Sequence, residues 1–536
     1  MTLTQQETQP LVLDEPFARD EPTARERTRA TAWWASILAM LSTMFGVDLR
    51  SLAVFRIVLG LVMLFDLLGR WSDVALHYSD RGLLSREQVL DTLNVWRWSL
   101  YFVNGTTEFA YLMFAVSLVT CLAVIVGYRT RLAMAVLWIL LVSLQVRNPL
   151  VLSGADSFLR LLMFWAMFLP VGAVWSLDQR LGRNTPAPQP WYVSVASAAL
   201  LLQIAFVYFF TALLKTGDQW RSDFTALHYA LGAKQLTTPF GDWVHQFPDV
   251  MRVLTASTMV IEVAMPIIVF VPWKNARMRC AGIVMIVGLQ IGIMLTMNIG
   301  IFPWISTLCM VCFLPTVVWD RVVGWTNRVA RGRLPGPRDR WRGIWGRGAA
   351  TSGESSRVVR ASLFTNLSAA LLLVIVLGWN VASVSSYTMP RESRPVVYGL
   401  AVYQKWSMFA PRPPRSTQWS VIVGTLEGGQ QVNLLPGLVE GDIARAVPLS
   451  WDRPEYIGGD YYGNKYWRKY FSALDEDSRS GPRRSLAGYL CRNWNAEHDG
   501  PMALDTVSLY SVLEPTDLED GDDPQRRIER STHTCT

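Results

Sequence analysis

The sequence predicts a mainly α-helical, polytopic membrane protein of about nine spans, ending in an extracytoplasmic, β-containing (α+β) domain. Three observations carry this. Of 536 residues, 51% are hydrophobic and only 17% charged, too apolar for an ordinary soluble enzyme. The apolar residues gather in blocks of roughly 17–22, each long enough as a helix to cross a hydrocarbon core of about 30 Å. The formal charge of +7 sits in short loops between those blocks, which is a topology signal rather than a nucleic-acid face.

Residues 1–31 are polar, carry mixed charge and lack the apolar core of a signal peptide, so they read as a disordered cytoplasmic tail. Trp33 to about Val47 opens with a Trp-Trp pair and is too short to span, which predicts an interfacial helix. Spans are expected at 52–69, 109–126, 132–147, 157–175, 193–214, 253–272, 280–297, 301–319 and 361–381. Residues 32–320 then form an eight-span core, 321–360 a basic cytoplasmic linker, and 361–381 the ninth span. An extracytoplasmic domain at 382–515 and a disordered tail at 516–536 follow.

The loops test this count. With a cytoplasmic N-terminus, the inner loops carry Arg129 and Arg131, then Arg180 and Arg183, then Lys274, Arg277 and Arg279. The stretch 320–360 alone holds ten arginines. Lysine and arginine near span ends mark the cytoplasmic side, and every expected inner loop obeys that bias. Loop 320–360 is also rich in Gly, Pro and Ser, the composition of a flexible linker. Its arginines can serve topology alone or hold anionic lipid.

Beyond residue 382 the composition is globular. Trp419 to Glu427, Gly428-Gly429 and Gln431 to Leu435 spell a β-hairpin around a glycine turn. The aromatic and basic segment Tyr461 to Ala473 is expected to pack a small core or lie on the membrane surface. Cys491 and Cys535 are the two cysteines outside the apolar blocks and can form a disulfide in an oxidising compartment. Cys309 and Cys312 lie inside a span with no second ligand pair, so buried thiols are expected there and no metal site.

Polar side chains inside spans are costly and are therefore functional candidates. They are Arg56, Asp66, Asp156, Arg160, Gln203, Glu262, Gln290 and Asn298. Asp156 and Arg160 stand four apart and can neutralise each other on one helix face. Glu262 lies one turn before Pro266 and can act as a proton or ligand group, or pair with Arg56 or Arg160. Lys215 is the sharpest candidate. It ends the fifth predicted span beside Trp220, where a snorkelling interfacial lysine is the plain alternative. Yet only six of the 50 Lys+Arg residues are lysines: 215, 234, 274, 405, 465 and 469. Arginine is this chain's default cation, and only lysine can be pushed toward neutrality and serve as a base. His77, His228 and His245 fall in outer loops on the same side, without metal-ligand spacing.

The run Ser51 to Asp66, with Arg56, Gly60 and Met63 inside it, resembles the first-span signature of the HTTM (horizontally transferred transmembrane domain) family. That family includes the vitamin K-dependent γ-glutamyl carboxylases. Gly127-Tyr128-Arg129 resembles its inner turn between spans two and three, and Trp175-Ser176-Leu177-Asp178 the close of span four. Tyr208-Phe209, Lys215 and Trp220 resemble the carboxylase segment with the catalytic lysine, and Trp406-Ser407-Met408 the start of the outer β-rich portion. The resemblance implies a catalytic Lys215 on the extracytoplasmic side, with Arg56, Asp156, Arg160, Glu262, His228 and Trp220 as pocket and charge network. It implies a reduced vitamin K-type naphthoquinone with O2 and CO2 as cosubstrates, and an exported peptide as the molecule modified. One residue departs from the carboxylase pattern: Asp156 begins Asp-Ser-Phe-Leu where the carboxylases carry His-Ser-Tyr-Leu. An ionised aspartate would repel a quinolate unless Arg160 cancels its charge. The alternative is a non-catalytic membrane factor for maturation or export of a secreted peptide, with Lys215 as an interface anchor. The expected location is the cell membrane, multi-pass, with the lipid bilayer as constant partner and no nucleic acid.

Overall fold

Spanning helices need long apolar runs, and the computed structural model, which describes residues 24–183, 190–330, 362–516 and 525–535, places them where those runs lie. Seven helices among the described residues are long and apolar enough to cross a membrane: Leu49–Tyr78, Thr107–Val126, Thr130–Arg147, Val195–Leu214, Pro248–Ile268, Asn275–Thr296 and Leu363–Val384. An eighth candidate is a broken pair, Phe302–Phe313 and Thr316–Thr326, bent by 95°. The chain is a polytopic helical membrane protein with a sheet-containing C-terminal domain.

The span expected at 157–175 is shorter than predicted. Its helix, Gly154–Ala166, has 13 residues and buries nearly every side chain. At about 1.5 Å per residue it is roughly 20 Å long, short of a bilayer core. Protein surrounds it, so its hydropathy records burial rather than lipid contact. It still runs between the two ends of the core. Asp156 meets Arg70 at one end at 2.7 Å, and past the other end the Asp178 amide donates to the Gly127 carbonyl at 3.0 Å.

Ala24–Phe45 form one helix, so residues 24–31, expected in the tail, are helical. Trp33 and Trp34 on it are exposed. Residues 1–23 of the expected tail and 331–360 of the expected linker lie outside the described residues.

The C-terminal sheet is antiparallel and five-stranded, in the spatial order Val447–Pro448, Gln431–Asn433, Ser416–Leu426, Leu504–Pro515, Arg526–Thr534. Its first hairpin pairs Val423 with Asn433 and Thr425 with Gln431 across the glycine turn, as the sequence predicts. The tail differs. Arg526–Thr534 is an edge strand paired with Leu504–Pro515, where disorder is expected, and the Cys491–Cys535 disulfide fastens its end to the Ser480–Trp494 helix. The aromatic segment forms the helix Lys465–Leu474, burying Tyr466, Trp467, Tyr470 and Phe471.

That helix docks the domain onto the core. Asp66 accepts from Arg70 Nε at 2.8 Å, Lys465 Nζ at 3.0 Å and the Tyr466 hydroxyl at 2.8 Å, while Arg70 also reaches Asp156 and Tyr78. Two carboxylates and two cations close this buried network, so no charge is left uncompensated within it.

Candidate functional site

The Val195–Leu214 helix ends at Lys215, whose backbone amide still bonds Thr211. The side chain therefore turns off the helix end and into the protein, and only 3% of the residue is exposed. Its ammonium lies 2.7 and 2.8 Å from the two oxygens of Glu262, on the Pro248–Ile268 helix. It also sits 4.0 Å over the Trp220 ring, whose Nε1 is fixed by the Phe409 carbonyl at 2.9 Å. Burial disfavours the charged amine and the facing carboxylate favours it, so the two groups hold each other in a pair shielded from bulk water.

The pair opens onto a chamber of about 490 Å³. Tyr208, Thr211, Leu289, Ile293 and Phe302 give it apolar and weakly polar walls from three helices. The 405–409 segment closes it, with Ser407, Met408 and Phe409 on the wall and Trp406 buried behind against Phe158. A volume of this size with mostly apolar lining and a few convergent polar groups is that of a small-molecule site.

Trp220 and Glu262 line the chamber beside Lys215, and Glu262 pairs with Lys215 rather than with Arg56 or Arg160. The other predicted pocket residues are not on its wall. Asp156 does not line the chamber; its carboxylate accepts from Arg70 at 2.7 Å and from the Ser153 amide and hydroxyl at 2.7 and 2.8 Å. Asp156 and Arg160 form no ion pair: Arg160 donates to Gln145 at 2.6 Å and the Tyr403 carbonyl at 2.9 Å, stacked over the Tyr403 ring. A tertiary arginine outcompetes the local one, and the charge of Asp156 is cancelled without Arg160. His228 does not line the chamber: its ring stacks on His245 at 4.6 Å, while Leu227 and Ala230 of the same helix are on the wall.

Arg56 lies at the other end of the core. It donates to the Trp175 carbonyl at 2.7 Å and the Ile125 carbonyl at 3.4 Å. Fourteen residues of helix separate it from Arg70, about 21 Å at 1.5 Å per residue. There the Asp178 carboxylate accepts from the Arg129 amide at 2.8 Å and from the Thr130 amide and hydroxyl at 2.7 and 2.8 Å, capping the Thr130–Arg147 helix. Gly127 has φ +73°, and a Cβ on it would stand 2.2 Å from Arg56 Nη1. Three separated sequence signatures thus meet in one joint. A family model described as the HTTM domain matches residues 46–319.

The chain belongs to the HTTM family. The match spans both the joint and the Lys215–Glu262 pair, and it ends before the segment that closes the chamber. No curated protein and no solved structure matches the chain.

Sequence reasoning missed part of the HTTM chamber. Lys405, Arg468 and Lys469 come in from the C-terminal domain. The signal was there: the rarity of lysine that singled out Lys215 applies equally to positions 405 and 469.

Proposed function

We propose that this HTTM protein is a carboxylase-like membrane enzyme in which the Lys215–Glu262 pair serves as base toward a lipid-soluble hydroquinone. The observation that carries the reading is a greasy chamber that reaches a buried lysine amine with a carboxylate on it. When bound, a reduced naphthoquinone with O2 would supply a base strong enough to remove the γ-proton of a peptide glutamate, to which CO2 is then added. Tyr208, Leu289, Ile293 and Phe302 would hold the ring and tail away from water. Lys215 would take a proton from the ring hydroxyl, and Glu262 would accept the proton that the amine must first shed. A general base needs a reachable proton and a matched pKa, and a pair isolated from water can move its proton internally.

Orientation belongs to the same proposal. The chamber and the C-terminal domain would face the extracytoplasmic side, with the N-terminus in the cytoplasm. The arginine bias of the opposite loops supports this, as does the Cys491–Cys535 disulfide, a bond that persists in oxidising compartments. The substrate would then be an exported peptide.

The test is incorporation of labelled CO2 into a glutamate-containing peptide by purified protein supplied with a reduced naphthoquinone. Lys215→Ala and Lys215→Arg should both abolish it, and full activity of the arginine variant would refute the base role. One observation favours a second reading, a maturation or export factor. Both Glu262 oxygens grip the amine, which is also how a purely structural tie between two helices looks. Co-purification of a peptide with Lys215→Arg still competent for its export would select that reading.

A further inference from the structure

The chamber is asymmetric in charge. The Lys215 end is neutral, because Glu262 balances the amine. Lys405, Arg468 and Lys469 also line the chamber, and among the described residues no acidic side chain other than Glu262 does. Arg468 donates to the backbone carbonyls of Gln235 at 2.9 Å, Gly458 at 3.5 Å and Asn298 at 2.7 Å, and among the described residues its charge meets no carboxylate. Among the described residues, the Lys405 and Lys469 amines have neither a hydrogen bond nor an ion pair. Burial holds the Lys469 pKa below the usual lysine value, with Arg468 beside it adding to that and the more distant Asp156 opposing it. Lys405 is exposed to water, but a buried Arg468 and a half-buried Lys469 without a carboxylate in contact are costly unless a ligand brings the counter-charge.

We infer that this basic arc is a binding site for the phosphate of an anionic lipid, whose acyl chain enters the apolar half of the chamber. Phosphate chemistry follows from the donors that are free. A carboxylate is best read by an unoccupied guanidinium fork, and the fork of Arg468 is already committed. Two lysine amines are point charges on flexible stems and suit the several oxygens of a phosphate. A lipid follows from position. The chamber lies at the ends of the Val195–Leu214 and Asn275–Thr296 helices, the level of headgroups, and its far wall is Leu289 and Ile293. All three basic residues lie outside residues 46–319, so the site is not inherited from the matched domain. The inference shares the chamber and its apolar walls with the base reading, but its headgroup contacts lie outside the Lys215–Glu262 pair, so either can fail alone.

The experiment is native mass spectrometry of the full chain after exchange into vesicle-derived nanodiscs of phosphatidylglycerol mixed equally with phosphatidylcholine. The protein should carry off phosphatidylglycerol in preference. Lys405→Gln with Lys469→Gln should lower that preference about tenfold or more, at roughly a factor of five per lysine. Lys405→Gln alone, at an exposed position, should give part of the loss and keeps the test valid if the double variant folds poorly. Lys215→Arg should leave the lipid preference unchanged. Equal retention of the two lipids, or a preference untouched by both variants, would overturn the inference. Full displacement by millimolar inorganic phosphate would overturn the lipid part and assign the arc to free phosphate. Displacement by a glutamate-rich peptide, with phosphate inert, would overturn it in favour of peptide binding.

Discussion

At the Gly127 end of the core, Arg56 and Asp178 direct most of their hydrogen bonds at backbone: carbonyls of Ile125 and Trp175, amides of Arg129 and Thr130, with the Thr130 hydroxyl and Arg183 added at Asp178. At the other end, Lys215 and Glu262 face only side chains, each other and Trp220, beside open volume. Backbone partners cannot move aside or change protonation, so charges held by them fix architecture. Side-chain partners beside a cavity can exchange a proton and admit a third group. The residues that mark the family most clearly in sequence are therefore spread over both kinds of place, and only the second kind is equipped for chemistry.

The largest expected effect is at Lys215. Lys215→Ala leaves a buried carboxylate alone and should lower stability by about 3–5 kcal/mol besides abolishing quinone-dependent turnover. Lys215→Arg should keep most of the stability, measured by thermal unfolding in detergent, and lose turnover. Retained turnover would erase the distinction between the two ends. Glu262→Gln comes next. It keeps the size of the side chain but removes the proton acceptor, and turnover should fall by about a hundredfold while the hydroquinone still binds. At the other end, Asp178→Ala removes three hydrogen bonds to the start of the Thr130–Arg147 helix and should lower stability by about 2 kcal/mol. Its turnover per folded molecule should match that of the parent. A specific loss of turnover there would show that the joint shapes the chamber after all.

Spans, the hairpin and the place of Lys215 at a helix end were legible because each is written locally, in apolar run length and alternation. Partners were not. Asp66–Arg70 and Asp156–Arg160 share one spacing on a helix, yet the first is a salt bridge at 2.8 Å and the second is none. Helix geometry permits an i,i+4 pair, and tertiary neighbours decide whether it forms. Glu262 meets Lys215 across 47 positions, a distance on which local pattern is silent. Gly154–Ala166 reads as a span because hydropathy does not separate burial in protein from burial in lipid. The Arg526–Thr534 strand reads as disorder because an edge strand can carry charge along its length, which is how edges avoid pairing with other chains.

Mild acid offers the smallest and cleanest separation of the two ends. His245 ends the Pro239–His245 helix, stacked on His228, with its Nε2 3.1 Å from the His228 carbonyl. Burial holds its pKa below the usual histidine value, with His228 and Lys234 adding to that and Asp242 opposing it. A group with a depressed folded pKa contributes stability that is present above its unfolded value, near 6.5, and is lost as the pH falls through the folded one. Asp178 is also depressed: burial would raise it, but the Thr130 and Arg129 hydrogen bonds win. It therefore keeps its charge, and its share of stability, until the pH drops below about 4. Between those limits, hydrogen exchange measured against the intrinsic amide rate at each pH should quicken in 226–245, whose first helix lines the chamber, and stay constant in 127–130. His245→Gln should remove the response. Equal quickening at both ends would mean that the core unfolds as one unit and that the chamber wall has no independent looseness.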